Sequence, residues 1–285
     1  MAQAKDFQTN NKPTWCPACG NYGSYAALTQ AFAELGLEPH QVVMTFDIGC
    51  NGNGANNYRL YGFHSLHGRT IPVATAVKLA NNDLTVVALS GDGGGYGEGG
   101  NHFLHACRRN VNMTLIIHNN ERYSLTTGQT SPTTRLGDKT KTALVGSIDQ
   151  PLNGPQIALT AGATFVARGF ADDMASLKEI YKRALTHKGF SVVELLQPCV
   201  IFYGAKNIRD EYRSKIYKLD SKNWPTKDRQ AAYQKAGETA RLPIGIFFQE
   251  ARPTFESHFK ALANQTLVSR PTEKVDLTPF LKELK

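Results

Sequence analysis

With 285 residues, 41% of them hydrophobic and 20% charged, the chain has the composition of an ordinary globular protein, which excludes a disordered or fibrous one. The formal net charge of +8 comes from scattered lysines and arginines, which indicates a solvated basic surface and no nucleic-acid partner. The first residues lack the apolar segment of a signal peptide and no long apolar stretch follows, so we expect a cytoplasmic protein without a membrane span.

Short apolar runs rich in β-branched residues recur along the first two thirds of the chain, separated by segments of helix length. Such runs are typical of buried strands in a doubly wound, mostly parallel sheet of the α/β class. The predicted strands are 41–46, 84–90, 112–120, 163–169 and 191–197, and the predicted helices between them are 22–35, 71–82, 99–110 and 173–187.

The character of the sequence changes after Pro198. Residues 206–241 are dense in Lys, Arg, Asp and Glu and contain no long apolar run. We therefore predict a core domain over 1–205 and a C-terminal extension over 206–285 that packs on the core or on a partner subunit. The one packed strand predicted in this extension is 242–248.

A glycine-rich turn, GDGGGYGEGG, directly follows the predicted strand 84–90. Its glycines allow backbone N–H groups to approach phosphate oxygens, and Asp92 offers a hard oxygen ligand for Mg²⁺. Asn120, the second of two asparagines that end the next strand, can add another oxygen. A lone GDG is often only a tight turn, but one helix and one strand separate it from the asparagines. The pair therefore predicts a diphosphate and magnesium site at one edge of the sheet.

The chain has five cysteines, and a reducing compartment argues against structural disulfides. Cys16 and Cys19 form a C-x-x-C pair, while Cys50 and Cys199 each follow a predicted strand and so lie at the same edge of the sheet as the glycine-rich turn. Four thiolates can hold a [4Fe–4S] cluster or a tetrahedral zinc ion, and the spacing alone does not separate the two. Cys107 falls within a predicted helix, where we expect a buried apolar thiol.

Several co-linear motifs cover most of the chain: WCPACGNYG, DIGCNGN, GFHSLHGR, GGNHFLHACRRNVNMTLIIHNN, GQTSPTT, QPCV and PIGIFFQEARPTFE. Together they resemble one family, the β subunits of 2-oxoacid:ferredoxin oxidoreductases. The pairing of GDG with the two asparagines also resembles the signature of thiamine-diphosphate enzymes. A series of motifs in the same order is far more specific than any one of them.

The resemblance implies the fold of thiamine-diphosphate-binding domains and assigns roles to particular residues. The implied magnesium ligands are Asp92, Asn120 and the main-chain carbonyl of Arg122. The implied ligands of a [4Fe–4S] cluster are Cys16, Cys19, Cys50 and Cys199. The implied contacts with thiamine diphosphate are Ile48, Gly49, Cys50, Asn51, His67, Gly93, Gly94, Ser124 and Leu125.

The same resemblance implies oxidative decarboxylation of a 2-oxoacid with coenzyme A, giving acyl-CoA and CO₂, with electrons passing through the cluster to ferredoxin. A basic surface is compatible with an acidic partner of this kind. Thiamine enzymes generally activate the aminopyrimidine of the cofactor with a Glu from a second, similar domain. Because this chain has strands for only one such domain, an α subunit that carries the Glu is implied.

Three positions depart from the pattern of the family and leave the identity of the 2-oxoacid open. Gly94 stands where GDGD is common, Asn53 stands where relatives have a basic residue, and Ser124 stands where Gly is usual. Two alternative functions remain. One is a non-oxidative thiamine-diphosphate decarboxylase or synthase, which needs no group of four cysteines. The other is a zinc-stabilised, non-catalytic subunit with a purely structural glycine-rich turn.

Overall fold

Eight strands form one mostly parallel sheet in the computed structural model, which describes residues 1–263, 265–270 and 276–284. The strands are β1 (Val42–Phe46), β2 (Tyr61–His64), β3 (Thr85–Gly91), β4 (Met113–Asn119), β5 (Phe165–Phe170), β6 (Phe190–Leu196), β7 (Ile216–Lys218) and β8 (Leu242–Gln249). Their order is β2-β1-β3-β4-β6-β5-β8-β7, and only β5 and β8 pair antiparallel. The predicted doubly wound α/β fold is confirmed.

Helices pack on both faces of this sheet. The helices are α1 (Asn21–Glu34), α2 (Thr70–Ala80), α3 (Gly100–Arg109), α4 (Gly154–Thr160), α5 (Met174–Thr186), α6 (Ala205–Lys215), α7 (Arg229–Ala236), α8 (Lys260–Ala263) and α9 (Thr278–Glu283). Helices α1 and α5 pack on one face, and α2, α3, α4 and α7 pack on the other. Within the described part of the chain, no helix has the length and apolar character needed to cross a membrane.

Strand β3 shows why the central strands are apolar throughout. Successive side chains of a strand point to opposite faces of the sheet. Val86 and Ala88 accordingly belong to the apolar cluster beneath α2 and α3, whereas Val87 and Leu89 belong to the cluster beneath α1 and α5. Because both faces are covered by helices, each position of the strand is selected for burial.

Helix α5 follows the same logic with a different period. Leu177, Ile180, Tyr181 and Ala184 recur at helical spacing and are buried against the sheet. The side chain of Asp173 accepts a hydrogen bond of 3.2 Å from the backbone N–H of Ser176 and so caps the first turn. The sequence therefore sets both the buried face of this helix and its beginning.

Strands β2 and β7 were not predicted. All four residues of β2 are exposed, and β7 has three residues at the opposite edge of the sheet, so neither strand has a pattern of buried positions. The packed strand predicted at 242–248 is present as β8, whereas β7, which has no buried residue, is an additional short strand. The division into a core over 1–205 and an extension over 206–285 stays a prediction.

Candidate functional site

Asp92 and Asn120 come together at the edge of the sheet where β3 and β4 end. The two strands pair in parallel with Gly91 opposite His118, so the residues that follow them emerge side by side. The Asp92 side chain is buried, and burial raises its pKa to about 6 despite hydrogen bonds that favour the charged form. A cation bound beside this buried carboxylate would favour its charged form.

Two hydroxyl groups hold the Asp92 carboxylate in place. Ser131 Oγ and Thr133 Oγ1 donate hydrogen bonds of 2.5 and 2.6 Å to Asp92 Oδ2. Both belong to the long loop after β4, which has no regular secondary structure around them. These supporting residues were missed in the sequence because a loop rich in Ser and Thr has no periodicity to interpret. GQTSPTT entered only as one of the resembling motifs.

A cavity of about 50 Å³ opens beside Asp92 and Asn120. Its lining contains every residue that the resemblance implies for the cofactor and for magnesium, and adds Gly91, Tyr123 and Thr126. The implied residues in the lining are Ile48, Gly49, Cys50, Asn51, His67, Asp92, Gly93, Gly94, Asn120, Arg122, Ser124 and Leu125. The structure thus brings the whole predicted set together, while the role of each residue stays a prediction.

Two side chains in this lining carry a buried nitrogen that lacks a hydrogen-bond partner among the described residues, Asn51 Nδ2 and His67 Nδ1. The His67 nitrogen lies 3.2 Å from Glu98 Oε2, but the geometry is not that of a hydrogen bond. Buried donors in native proteins are normally paired. An Asn donor left unpaired at a cavity wall fits a bound group with acceptor oxygens, such as a diphosphate.

The loop after β4 presents its backbone to the cavity. Asn120 Oδ1 accepts hydrogen bonds from the Arg122 backbone N–H at 3.0 Å and from Ser124 Oγ at 3.3 Å. The guanidinium of Arg122 is engaged elsewhere, 2.8 Å from Asp138 and 4.3 Å above the ring of Tyr203. The side chain of Arg122 is thus held by Asp138 and Tyr203.

A second cavity, of about 230 Å³, adjoins the first and is lined by Cys16, Cys19, Cys50 and Cys199. The cavities share Cys50, Asn120, Ser124 and Leu125. Cys16 and Cys19 belong to a tight turn in which the Cys19 backbone N–H donates to the Cys16 carbonyl at 3.1 Å. Four thiols from three separate segments therefore face one space beside the cavity that contains Asp92.

Burial is the main cause of the raised pKa values of two of these thiols, Cys50 and Cys19. It raises the pKa of Cys50 to about 12, and the neighbouring thiols of Cys19, Cys199 and Cys16 add to the shift. The pKa of Cys19 is also raised, first by burial and then, in part, by Cys16 and Cys199. Because the thiols disfavour one another's charge, a positively charged group between them would be bound with release of protons.

The same arrangement bears on which metal the thiols could hold. Among the described residues, no three His, Cys, Asp or Glu side chains are grouped closely enough to bind one ion. The four cysteines instead line the walls of a cavity. Four thiols in this arrangement are the type of donor set that holds a [4Fe–4S] cluster or a zinc ion. Cys107 lies apart, fully buried in the apolar core beneath α3, as expected.

The three departures from the family pattern each have a structural setting. Gly94 lies against the buried carboxylate of Asp47, and a Cβ on Gly94 would lie 2.8 Å from Asp47 Cγ. Ser124 fills its position with a hydroxyl that donates to Asn120. Asn53 lines the cavity of the cysteines. Asp47 was missed in the sequence, because a single acidic residue after a strand carries no signal of its own.

The fold and this site define a thiamine-diphosphate-binding domain, and comparison with known families agrees. Residues 42–195, more than half of the chain, match the model described as "Thiamine pyrophosphate enzyme, C-terminal TPP binding domain". Residues 199–264 match the model of the C-terminal part of the pyruvate ferredoxin oxidoreductase β subunit. The chain belongs to the family of β subunits of 2-oxoacid:ferredoxin oxidoreductases, as the following relatives show.

Two curated proteins and one solved structure illustrate the similarity. The 2-oxoacid:ferredoxin oxidoreductase subunit beta of Saccharolobus solfataricus is 41% identical over 92% of this chain and 90% of that protein. The 2-oxoglutarate oxidoreductase subunit KorB of Mycobacterium tuberculosis is 42% identical over 70% of this chain and 54% of its own length. A 2-oxoglutarate:ferredoxin oxidoreductase structure from Magnetococcus marinus, with 2-oxoglutarate, coenzyme A and succinyl-CoA bound, has a TM-score of 0.90 and 33% identity over all of this chain and 96% of that one.

Proposed function

We propose that the chain is the catalytic β subunit of an enzyme that converts a 2-oxoacid, coenzyme A and two oxidised ferredoxins to acyl-CoA, CO₂, two reduced ferredoxins and a proton. The observation that carries the proposal is the wall common to the two cavities. Cys50 lines both the cavity beside Asp92 and the cavity of the four thiols. A site for decarboxylation and a site for an electron carrier are thus adjacent.

Thiamine diphosphate with Mg²⁺ is the cofactor that the first cavity fits. Asp92, Asn120 and the main-chain carbonyl of Arg122 would hold the metal, and oxygen donors of this type are those that Mg²⁺ prefers. When bound, thiamine diphosphate supplies the stabilisation of a carbanion that decarboxylation requires. A cation near Asp92 would also favour the charged carboxylate, which burial disfavours in its absence.

The residues of the chain itself bind and orient. Asn51 Nδ2, which has no hydrogen-bond partner among the described residues, would donate to an acceptor on the cofactor, and the backbone of the glycine-rich turn can approach phosphate oxygens closely. Ser131 and Thr133 keep the Asp92 carboxylate in one orientation, so that the metal site is preorganised.

A [4Fe–4S] cluster held by Cys16, Cys19, Cys50 and Cys199 is the electron carrier that the second cavity fits. Its chemistry is the acceptance and release of single electrons, which matches ferredoxin as the final acceptor. Support comes from the position of the four thiols around one cavity.

A partner subunit is part of the proposal. The cavity beside Asp92 measures about 50 Å³, whereas pockets that enclose a drug-sized ligand measure roughly 300–1,000 Å³. This chain would therefore hold the diphosphate end, and an α subunit would cover the rest of the cofactor and supply the activating Glu. The 2-oxoacid and coenzyme A would enter at that interface.

The test is to measure ferredoxin or viologen reduction by this chain alone, by its partner alone and by the two mixed. We expect reduction only in the mixture, and only with both a 2-oxoacid and coenzyme A. Pyruvate, 2-oxoglutarate and branched-chain 2-oxoacids, assayed in parallel, identify the substrate. Full activity of the chain alone would contradict the requirement for a partner.

The two alternative functions give different results in the same preparation. A non-oxidative decarboxylase or synthase would turn over the 2-oxoacid without an electron acceptor and would contain no iron or acid-labile sulfide. A zinc-stabilised scaffold would contain one zinc per chain and no thiamine diphosphate. Analysis of metal, sulfide and cofactor content therefore separates all three.

A further inference from the structure

The carboxylate of Asp47 contacts three of the segments that line the cofactor cavity. Its Oδ1 accepts hydrogen bonds from the backbone N–H groups of Ile48, at 2.8 Å, and Gly68, at 2.9 Å. Its Oδ2 accepts a hydrogen bond of 2.6 Å from Ser90 Oγ. Asp47 is fully buried and is not part of the cavity lining itself. It therefore lies behind the site and connects the loops that form it.

Each connected segment carries a residue proposed to act on the cofactor. Ile48 begins the loop that contains Asn51, Gly68 follows His67, and Ser90 lies two residues before Asp92. The backbone N–H of Asp47 also donates to the Leu89 carbonyl at 2.9 Å and continues the pairing of β1 with β3. One side chain thus fixes the relative positions of three parts of the cavity wall.

Gly94 and Asp47 compete for the same volume. A Cβ on Gly94 would overlap the Asp47 carboxylate, lying 2.8 Å from its Cγ and 2.9 Å from Ser90 Oγ. Asp47 and Ser90 are buried and hydrogen-bonded to each other, so displacing them would cost free energy. Conversely, if residue 47 were small, a carboxylate on residue 94 could occupy the vacated space beside Ser90.

We propose that Asp47 is a positioning residue for the thiamine-diphosphate site, and that positions 47 and 94 form an exclusive pair that admits one carboxylate. The inference deepens the proposed function and rests on it. Asp47 acts through Ile48, Gly68 and Ser90 rather than by touching the cofactor.

A double-mutant cycle tests the pair. The variants are Asp47→Ser, Gly94→Asp and the combination of both, with Asp47→Asn as the conservative change. Affinity for Mg²⁺ and thiamine diphosphate is measured on the full chain with its partner, and thermal unfolding is measured on each variant. Gly100→Asp is the matched control, because a Cβ there meets no atom within 4 Å and the residue begins α3 outside the cavity.

We expect Gly94→Asp to lose more than about a hundredfold in cofactor affinity and to unfold at a lower temperature, because two carboxylates compete for one space. Asp47→Ser should bind about tenfold to a hundredfold more weakly, since hydrogen bonds to a charged acceptor are lost. The combined variant should bind thiamine diphosphate at least about tenfold more tightly than Gly94→Asp alone. Its unfolding temperature should return towards that of the wild type. Asp47→Asn should stay within about tenfold of the wild type, because its amide oxygen keeps both backbone contacts.

Equal effects of Gly94→Asp with and without Asp47 would overturn the exclusive pair. Wild-type affinity in Asp47→Ser would overturn the positioning role. Failure of the proposed function would give a different result, because the wild-type protein would then bind no thiamine diphosphate. The unfolding temperatures of the four proteins in the double-mutant cycle would still report the competition between positions 47 and 94.

Discussion

The side-chain amide of Gln197 donates a hydrogen bond to Cys19 Sγ across 3.5 Å. The same amide nitrogen donates to Asn21 Oδ1 at 2.9 Å, and the side-chain oxygen of Gln197, Oε1, lies 2.9 Å from His118 Nδ1. Because Asn21 Oδ1 is also 2.8 Å from His118 Nδ1, this nitrogen faces two acceptors and carries the proton. A buried polar network thus reaches a proposed ligand of the cluster.

Replacing Gln197 with Leu should lower the reduction potential of the cluster. A hydrogen bond to a ligating sulfur stabilises the more negative, reduced state, so its removal disfavours reduction. The expected shift is at most about 60 mV, which corresponds to about 1.4 kcal/mol for a one-electron couple. A redox titration followed by electron paramagnetic resonance measures it. Gln150→Leu, at an exposed position, is the control, and an unchanged potential in Gln197→Leu would remove this role.

Replacing Asp92 or Asn120 with Ala should abolish retention of thiamine diphosphate. Each change would remove an oxygen ligand from the magnesium ion proposed to hold the cofactor in this cavity. Cofactor content after gel filtration, determined by fluorescence after oxidation to thiochrome, measures retention. Asp83→Ala, an exposed residue in the turn before β3, should retain the cofactor. Wild-type retention by either site variant would contradict the assignment.

Serine replacement of Cys16, Cys19, Cys50 or Cys199 should bleach the protein and reduce its iron and acid-labile sulfide. Cys107→Ser should leave both unchanged, because that thiol is fully buried in the apolar core, apart from the cavity of the other four. The absorbance of Cys-ligated iron–sulfur centres, roughly near 400 nm, gives the readout alongside metal analysis. If Cys107→Ser bleaches as fully as Cys199→Ser, the ligand set is wrong.

His118 should make the cofactor-free protein less stable in acid. Burial lowers the pKa of this imidazole to about 4, so the folded protein keeps it neutral while the unfolded chain takes up a proton below about 6.5. The contribution of neutral His118 to stability is complete above the pKa of the unfolded chain. It is lost as the pH falls through the pKa of the folded protein. The free energy of unfolding should therefore fall by up to about 3 kcal/mol more in the wild type than in His118→Gln.

Urea unfolding at pH 7 and at pH 4.5 measures this difference, since the carboxylates titrate alike in both proteins. His40→Gln is the control for the same substitution at an exposed position. If the free energy of unfolding changes equally between the two pH values in His118→Gln and in the wild type, protonation of the buried imidazole is not linked to unfolding.

The sequence allowed the centre of the fold to be predicted but not its edges. Strands β1, β3, β4, β5 and β6 are apolar because helices cover both of their faces, and this pattern is visible without a structure. All four residues of the edge strand β2 are exposed, and the three residues of β7 are too few to form a pattern. Pairing with a neighbour forms both strands, and a single sequence does not display such pairing.

The candidate site also contains residues that could be predicted from the sequence and residues that could not. Asp92 and Asn120 could be predicted because each follows a strand, and parallel strands end at one edge of a sheet. Ser131, Thr133 and Asp47 could not, because they act through the positions of other residues. The contacts of a supporting side chain depend on how distant loops fold over the sheet, and no local spacing encodes them.

The cavity of the four thiols is lined by residues that lie far apart in the sequence. Cys16 and Cys19 precede α1, whereas Cys199 follows β6, so most of the chain separates the first thiol from the last. During synthesis the enclosing space cannot exist until residue 199 has left the ribosome and β6 has paired with β4. Iron and sulfide delivered earlier would meet at most three of the four thiols. Loading of the proposed cluster is therefore expected to be a late event, which cannot be completed before residue 199 has emerged.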